Sequence, residues 1–362
     1  LIDRRRWWTA GTLLGLAALA LSVPACHRAA AVNVQAKQRG VNWVAGREIT
    51  ADDLRPLVDD HVNWIVQTPF GWARSPSSPE LALVTSGRGF WGEQDEGLTV
   101  TAALASSLGV HTLLKPHVWV RRAGGATRDG IAMESEADWT RWFRNYRTFI
   151  LHYAELAERD HMEMLCVGTE LGVAAVSREA DWRALIADIR RVYHGRLTYA
   201  ANWYREYEAV PFWDVLDFIG IQAYFPLSEK EQPSLDELVA GWAPHLAAIE
   251  RVQARVGKPV LFTEIGYRSV PDAAARPWEW PSRFEPESAP SDPGLQARCY
   301  EAFFRAVWPC PWFAGAYWWK WFPDGRRHGE SGATGFSPQG KPAEAVLAAG
   351  YGGSIDAPGT GD

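Results

Sequence analysis

Short apolar runs recur along this chain, and most are separated by segments with a helical period. The runs are GVNWV (40–44), VNWIVQ (62–67), HTLLKPHVW (111–119), MLCVGTEL (164–171), LTYAANW (197–203), FIGIQAYF (218–225), PVLFTEIGY (259–267) and FAGAYWWKWF (313–322). Between them lie LTVTAALASSLG, EADWTRWFRNYRTFILHYAELAER, READWRALIADIRRVYHG, LDELVAGWAPHLAAIERVQARVG and PGLQARCYEAFFRAVW. In the second of these, Trp139, Trp142, Phe143, Tyr146, Phe149, Ile150 and Tyr153 recur at steps of three or four, which predicts a helix with one apolar stripe. Ser177 and Asp292 are the expected N-terminal caps of their helices, and Gly195 and Gly257 the expected stops. Strands apolar on both faces, alternating with helices, require a parallel sheet covered by helices. Eight such runs predict one closed (β/α)8 barrel over residues 39–350. An open doubly wound sheet would carry a Gly-rich first turn, and here that turn reads NWVAGREIT.

Composition narrows the function. The chain has 362 residues, 47% hydrophobic and 22% charged, enough to bury a large core. Its net charge of -6 offers no basic face for a polyanion, so nucleic acid is not an expected partner. Twenty tryptophans are more informative. Most must pack in the core, but flat amphipathic rings also suit a surface that stacks on sugars. There is no H-E-x-x-H, no C-x-x-C and no G-x-S-x-G, so neither a catalytic metal nor the commonest serine hydrolase site is expected.

The first 26 residues differ from the rest. Arg4, Arg5 and Arg6 precede the uncharged WWTAGTLLGLAALALSVPA and then Cys26, the layout of an export signal. The VPAC ending resembles a bacterial lipoprotein signal, which would make Cys26 the lipid attachment point and residues 27–38 a tether. An unlipidated signal or an uncleaved anchor is the alternative, and all three place the barrel outside the cytoplasm, with the membrane touched only through this end. In that oxidising setting Cys299 and Cys310 are candidates for a disulfide, whereas Cys166 reads as a small core residue. Residues 351–362 read as a disordered tail.

Barrel enzymes carry their chemistry at the carboxyl ends of the strands. Two carboxylates fall there, Glu170 on the fourth run and Glu264 on the seventh, on opposite sides of one mouth. Facing carboxyls are what glycoside hydrolysis needs, one to protonate the leaving oxygen and one to attack. Lys115 and His117, two apart and so on one face, are candidates for hydrogen bonds to sugar hydroxyls, as is Asn202. Trp43, Trp91 and Trp203 are candidate stacking platforms. The proline-rich loop 270–290 follows Glu264, and its Trp278 and Trp280 are expected to wall the groove.

GTELGVA, LTYAANW, QAYFPL, FTEIGYRS and GFSPQGKPAEAVL together resemble glycoside hydrolase family 113, over about the whole of the predicted barrel. The resemblance implies a retaining barrel glycosidase, chiefly an endo-β-1,4-mannanase, with Glu170 as acid/base and Glu264 as nucleophile. It further implies that Tyr224 hydrogen-bonds the nucleophile and that Trp319, within WWKW, floors the reactive subsite. No cofactor is implied; the partner is a β-linked polysaccharide or oligosaccharide. Most of the wider clan has Asn before the acid/base to meet the sugar 2-hydroxyl, and here that position is Thr169, leaving Thr169 or Asn202 to take the contact. A same-clan enzyme on another β-glycan, a transglycosylase, and a sugar-binding protein without turnover are the competing readings.

Overall fold

The computed structural model describes residues 37–87, 89–121, 127–280, 288–323 and 332–355. The export signal, Cys26 and the tether up to residue 36 lie outside the described residues, as do residues 356–362.

Eight parallel strands close into a barrel: β1 (Gln38–Trp43), β2 (Trp64–Gln67), β3 (His111–Leu114), β4 (Met164–Thr169), β5 (Arg196–Asn202), β6 (Phe218–Gln222), β7 (Val260–Ile265) and β8 (Phe313–Trp321), with β8 pairing back onto β1. Every strand is followed by at least one helix before the next, as a right-handed parallel crossover demands. The side chains divide into layers. Trp64, Val66, Leu113, Met164, Cys166, Ala200, Phe218, Leu261, Ala314 and Tyr317 fill the barrel interior, while the larger cluster packs strands against helices. Gly40 is required by this filling, because a Cβ there would stand 2.1 Å from the Tyr317 ring.

The helix Glu136–Arg159 buries all seven members of the predicted stripe, and Ser135 caps it by accepting from the Asp138 amide. Asp292 caps the helix Pro293–Ala306 through the Leu295 amide, and Gly257 ends its helix in the left-handed region. Five expectations need correction. Gly195 does not stop its helix, which runs Glu179–Val192 and ends at Tyr193 in the extended region. Ser177 closes the short helix Gly172–Ser177 rather than opening the next, which is capped by Arg178. The segment 235–257 is two helices that meet at Trp242, because Pro244 lacks the amide that a continuous helix would need. Cys299 is a free buried thiol, so it forms no disulfide with Cys310. Tyr351 belongs to the last helix, where its buried hydroxyl donates to the carbonyls of Gly40 and Ala316, so ordered structure extends past 350.

The run 111–119 is likewise two strands. Pro116 cannot donate to the ladder, so β3 stops at Leu114 and the chain pairs again from His117 to Val120 in a separate three-stranded sheet with Phe70–Ala73 and Leu81–Leu83. This small sheet stands beyond the carboxyl ends of β2 and β3.

Candidate active site

Glu264 lies one residue from the end of β7, only 4% exposed. The ladder to β6 is irregular between Phe262 and Glu264, a distortion that re-aims side chains at a barrel rim. Lys115 donates to Glu264 Oε1 at 2.6 Å, and Tyr224 donates to Oε2 at 2.7 Å. Lys115 Nζ also reaches Asn42 Oδ1 at 3.0 Å and the Thr263 carbonyl at 3.1 Å. Three acceptors match the three protons of an ammonium, so the fully buried lysine is in its charged form here. Burial works against both charges. For Glu264 it is outweighed by Lys115 and Tyr224, which hold the carboxyl below its ordinary range; for Lys115 burial prevails over Glu264, and the ammonium pKa is lowered. His117 Nε2 stands 3.8 Å from the same carboxylate oxygen and has no hydrogen-bond partner. Burial, with Arg128 and Lys115 nearby, keeps this imidazole neutral.

Glu170 follows β4 directly with φ of 49°, a left-handed conformation that costs a non-glycine residue about 1–3 kcal/mol and collects at functional sites. Its neighbours over-determine it. The Glu170 amide donates to the Ala200 carbonyl at 2.8 Å, and the next amide, Leu171, donates to the Tyr199 hydroxyl at 2.7 Å. Tyr199 in turn donates to Glu206 Oε1 at 2.5 Å, and Glu206 Oε2 accepts from the Asn202 amide at 2.8 Å. Trp182, Phe212 and Trp213 enclose the Tyr199 ring. Burial, with Glu170 and Asp129 close by, pushes the Glu206 carboxyl up to about 7 despite the hydrogen bonds from Tyr199 and Asn202. Arg128 places Nε and Nη2 on Glu170 Oε2 at 3.0 and 2.6 Å, which leaves Oε1 open. Both carboxylates raise the pKa of this guanidinium against the effect of burial.

The aromatic rings sort themselves by position. In WWKW, Trp318 stacks on Tyr300 in the core and Trp321 is buried, whereas Trp319 joins Tyr224 and Phe336 beside Glu264. Trp280, 59% exposed, meets Trp319 and Phe336 edge-on at 5.8 Å. Trp203 packs against the same group and stacks on Trp278 at 5.1 Å. The loop tryptophans therefore lie with Trp319, Phe336 and Trp203, on the Glu264 side of the barrel mouth. Trp43 instead belongs to the main core, and Trp91 packs half-buried against it. The Thr169 hydroxyl is buried and faces the Pro116 carbonyl at 3.5 Å, while Asn202 Oδ1 accepts from the Tyr204 amide.

Lys115 and His117 do converge, but through a break between two strands rather than by alternation along one. All three ammonium protons of Lys115 are used by protein, so it serves the carboxylate and not a sugar; the unpartnered His117 Nε2 is the group left for a hydroxyl. A hollow of about 1010 Å3 at the opposite end of the barrel pairs its own polar groups, His111 with Glu163 and Arg190 with Asp217.

A (β/α)8 barrel with a carboxylate at the ends of strands four and seven is an arrangement that glycoside hydrolysis can use. The chain matches the model of Glycoside Hydrolase Family 113 over residues 37–341, and it belongs to that family. It is similar to the β-mannanase AaManA of Alicyclobacillus acidocaldarius, solved in complex with ManMIm, at 29% identity and TM-score 0.74, over 88% of this chain and 98% of that one. Two further structures of a GH113 β-1,4-mannanase, one of them a complex, match at 26% and 27% identity, both with TM-score 0.73 and covering 88% of this chain and 99% of theirs. A GH2 β-galacturonidase from Eisenbergiella tayi, at 14% identity and TM-score 0.52, shares the fold alone. Among curated proteins none matches.

Proposed function

We propose that the protein is a retaining endo-β-1,4-mannanase in which Glu264 is the nucleophile and Glu170 the acid/base. The observation that carries this reading is the asymmetry of the pair: Glu264 is buried, ion-paired to Lys115 and oriented by Tyr224, while the Glu170 side chain is 17% exposed and its pairing with Arg128 uses one oxygen. In the first step Glu264 attacks the anomeric carbon, the glycosidic C–O bond breaks, and the proton of Glu170 passes to the leaving oxygen. In the second, Glu170 takes a proton from water, the water oxygen bonds to the anomeric carbon, and Glu264 leaves as carboxylate. Lys115 and Tyr224 remain in place throughout, so the departing carboxylate is stabilised without reorganisation.

The likeness to GH113 β-mannanases supports β-1,4-linked mannan as the backbone. The N-terminal pattern supports export with lipid on Cys26, so that the substrate is met outside the cytoplasm. The test is hydrolysis of β-1,4-mannohexaose, xylan and β-glucan by the parent, Glu170→Gln and Glu264→Ala. Internal cleavage of mannohexaose by the parent and loss of most of that rate in both variants are expected. Cleavage of another glycan instead would retire mannan; full activity in either variant would retire the pair.

A further inference from the structure

The small sheet beyond β2 and β3 has two unlike faces. Gly71, Ala73, Val118 and Val120 are buried, and a Cβ on Gly71 would stand 2.6 Å from Phe149 of the long helix behind. The opposite face carries Phe70 and Trp72 on one strand and His117 and Trp119 on its neighbour, because residues two apart share a face. The register sets Phe70 beside His117 and Trp72 beside Trp119. These four rings form a row that starts at the catalytic carboxylate. His117 is 3.8 Å from Glu264; Phe70 lies 5.5 Å from His117; Trp119 lies 6.2 Å from Phe70; and Trp72 lies 6.2 Å from Trp119. Exposure rises outward, from 2% at His117 to 44% at Trp119 and 38% at Trp72.

Two tryptophans side by side on a short sheet are a poor way to end a soluble surface, since exposed aromatics of this size mark binding sites. Because the row is continuous with the carboxylate, its occupant is the molecule that reaches the carboxylate. We propose that Phe70, Trp119 and Trp72 form a glycan-binding track that extends the substrate groove away from the catalytic pair. This rests on the reading of the protein as a β-glycan hydrolase and adds the residues that hold the chain at a distance. Sugar rings present C–H faces to the indoles while their hydroxyls remain in water, so the track reads chain length rather than reaction chemistry.

The test uses the Trp72→Ala/Trp119→Ala double variant, whose changes lie on the exposed face and leave Gly71, Ala73, Val118 and Val120 in place. Two readouts are compared with the parent: kcat/KM on β-1,4-mannohexaose against an aryl β-mannobioside, and retardation in native gels containing soluble mannan, xylan or β-glucan. About tenfold loss on the hexaose through KM is expected, the size of one or two aromatic contacts, with the short substrate unchanged and gel retardation weakened. Equal retardation of the double variant and the parent overturns the track, and so does a parent retarded by none of the three glycans. So does an equal loss on short and long substrates, which would signal damage at the carboxylates. The hydrolytic reading is judged separately, by whether the parent cleaves at all.

Discussion

Replacing Lys115 by Met removes the cation from Glu264 while keeping an apolar stem of similar length. Lys115 is fully buried and Glu264 is 4% exposed, so water cannot replace the lost partner. Removing one member of a buried pair costs about 3–5 kcal/mol if the other stays charged. Glu264 escapes that cost by taking a proton, and a protonated carboxyl is no nucleophile. Either route lowers kcat/KM at neutral pH by about two to four orders of magnitude, at 1.36 kcal/mol per tenfold. The sign with pH is distinctive. In the parent, Lys115 and Tyr224 hold the Glu264 carboxyl below its ordinary value against the effect of burial, so its stabilising contribution is present above the unfolded-state pKa and lost as pH falls through the folded one. In Lys115→Met burial governs and the carboxyl pKa rises, so the contribution is present in acid and lost as pH rises. The acid limb of the kcat/KM profile on mannohexaose therefore moves upward, and the urea midpoint falls relative to the parent between acid and neutral pH. Adding Glu264→Gln to Lys115→Met restores stability without restoring rate, because a buried ion pair serves preorganisation more than stability. A Lys115→Met enzyme with an unmoved acid limb and near-parent rate would refute the reasoning.

Tyr224→Phe deletes one charge-assisted hydrogen bond, worth about 1.5–3 kcal/mol, and is expected to lower kcat ten- to hundredfold on the order of that loss with KM little changed; an unchanged kcat counts against it. Glu206, raised from 4.5 to about 7, contributes about 3 kcal/mol of stability that is fully present below the unfolded pKa and is lost as pH rises through about 7. Glu93, also raised to about 7, and Asp60, raised to about 6, act in the same direction. In Glu206→Gln the decline between those pH values becomes shallower by roughly that amount, measured as urea midpoints across the range; parallel curves for parent and variant would show that Glu206 is not the titrating group.

The barrel was legible because eight apolar runs and their helices obey simple periods, and the two carboxylates because they interrupt apolar strands at their ends. What was hidden has physical reasons. HTLLKPHVW reads as one strand by composition, and only the missing amide of Pro116 tells that the ladder ends and a second sheet begins. Phe70–Ala73 and Leu81–Leu83 are too short to show a period, so the faces of Trp72 and Trp119 could not be assigned. Arg128 sits in a polar turn with nothing local to mark it, and its partner Glu170 is 42 residues away. Glu206, in REYEA, looks like any exposed helix residue until Tyr199 and Asn202 close over it. Twenty tryptophans suggested sugar contacts, yet seven of them are among the largest fully buried side chains. The rings at the mouth could be separated from those only in three dimensions.

The most direct test of the central claim is proton NMR of mannohexaose during its first minutes of hydrolysis, read at the anomeric signals of the newly formed reducing ends. Double displacement at Glu264 with Glu170 as acid/base predicts that the β-anomer appears first and the α-anomer follows by mutarotation. Initial release of the α-anomer would mean that water attacks directly, and the assignment of Glu264 as nucleophile would fall.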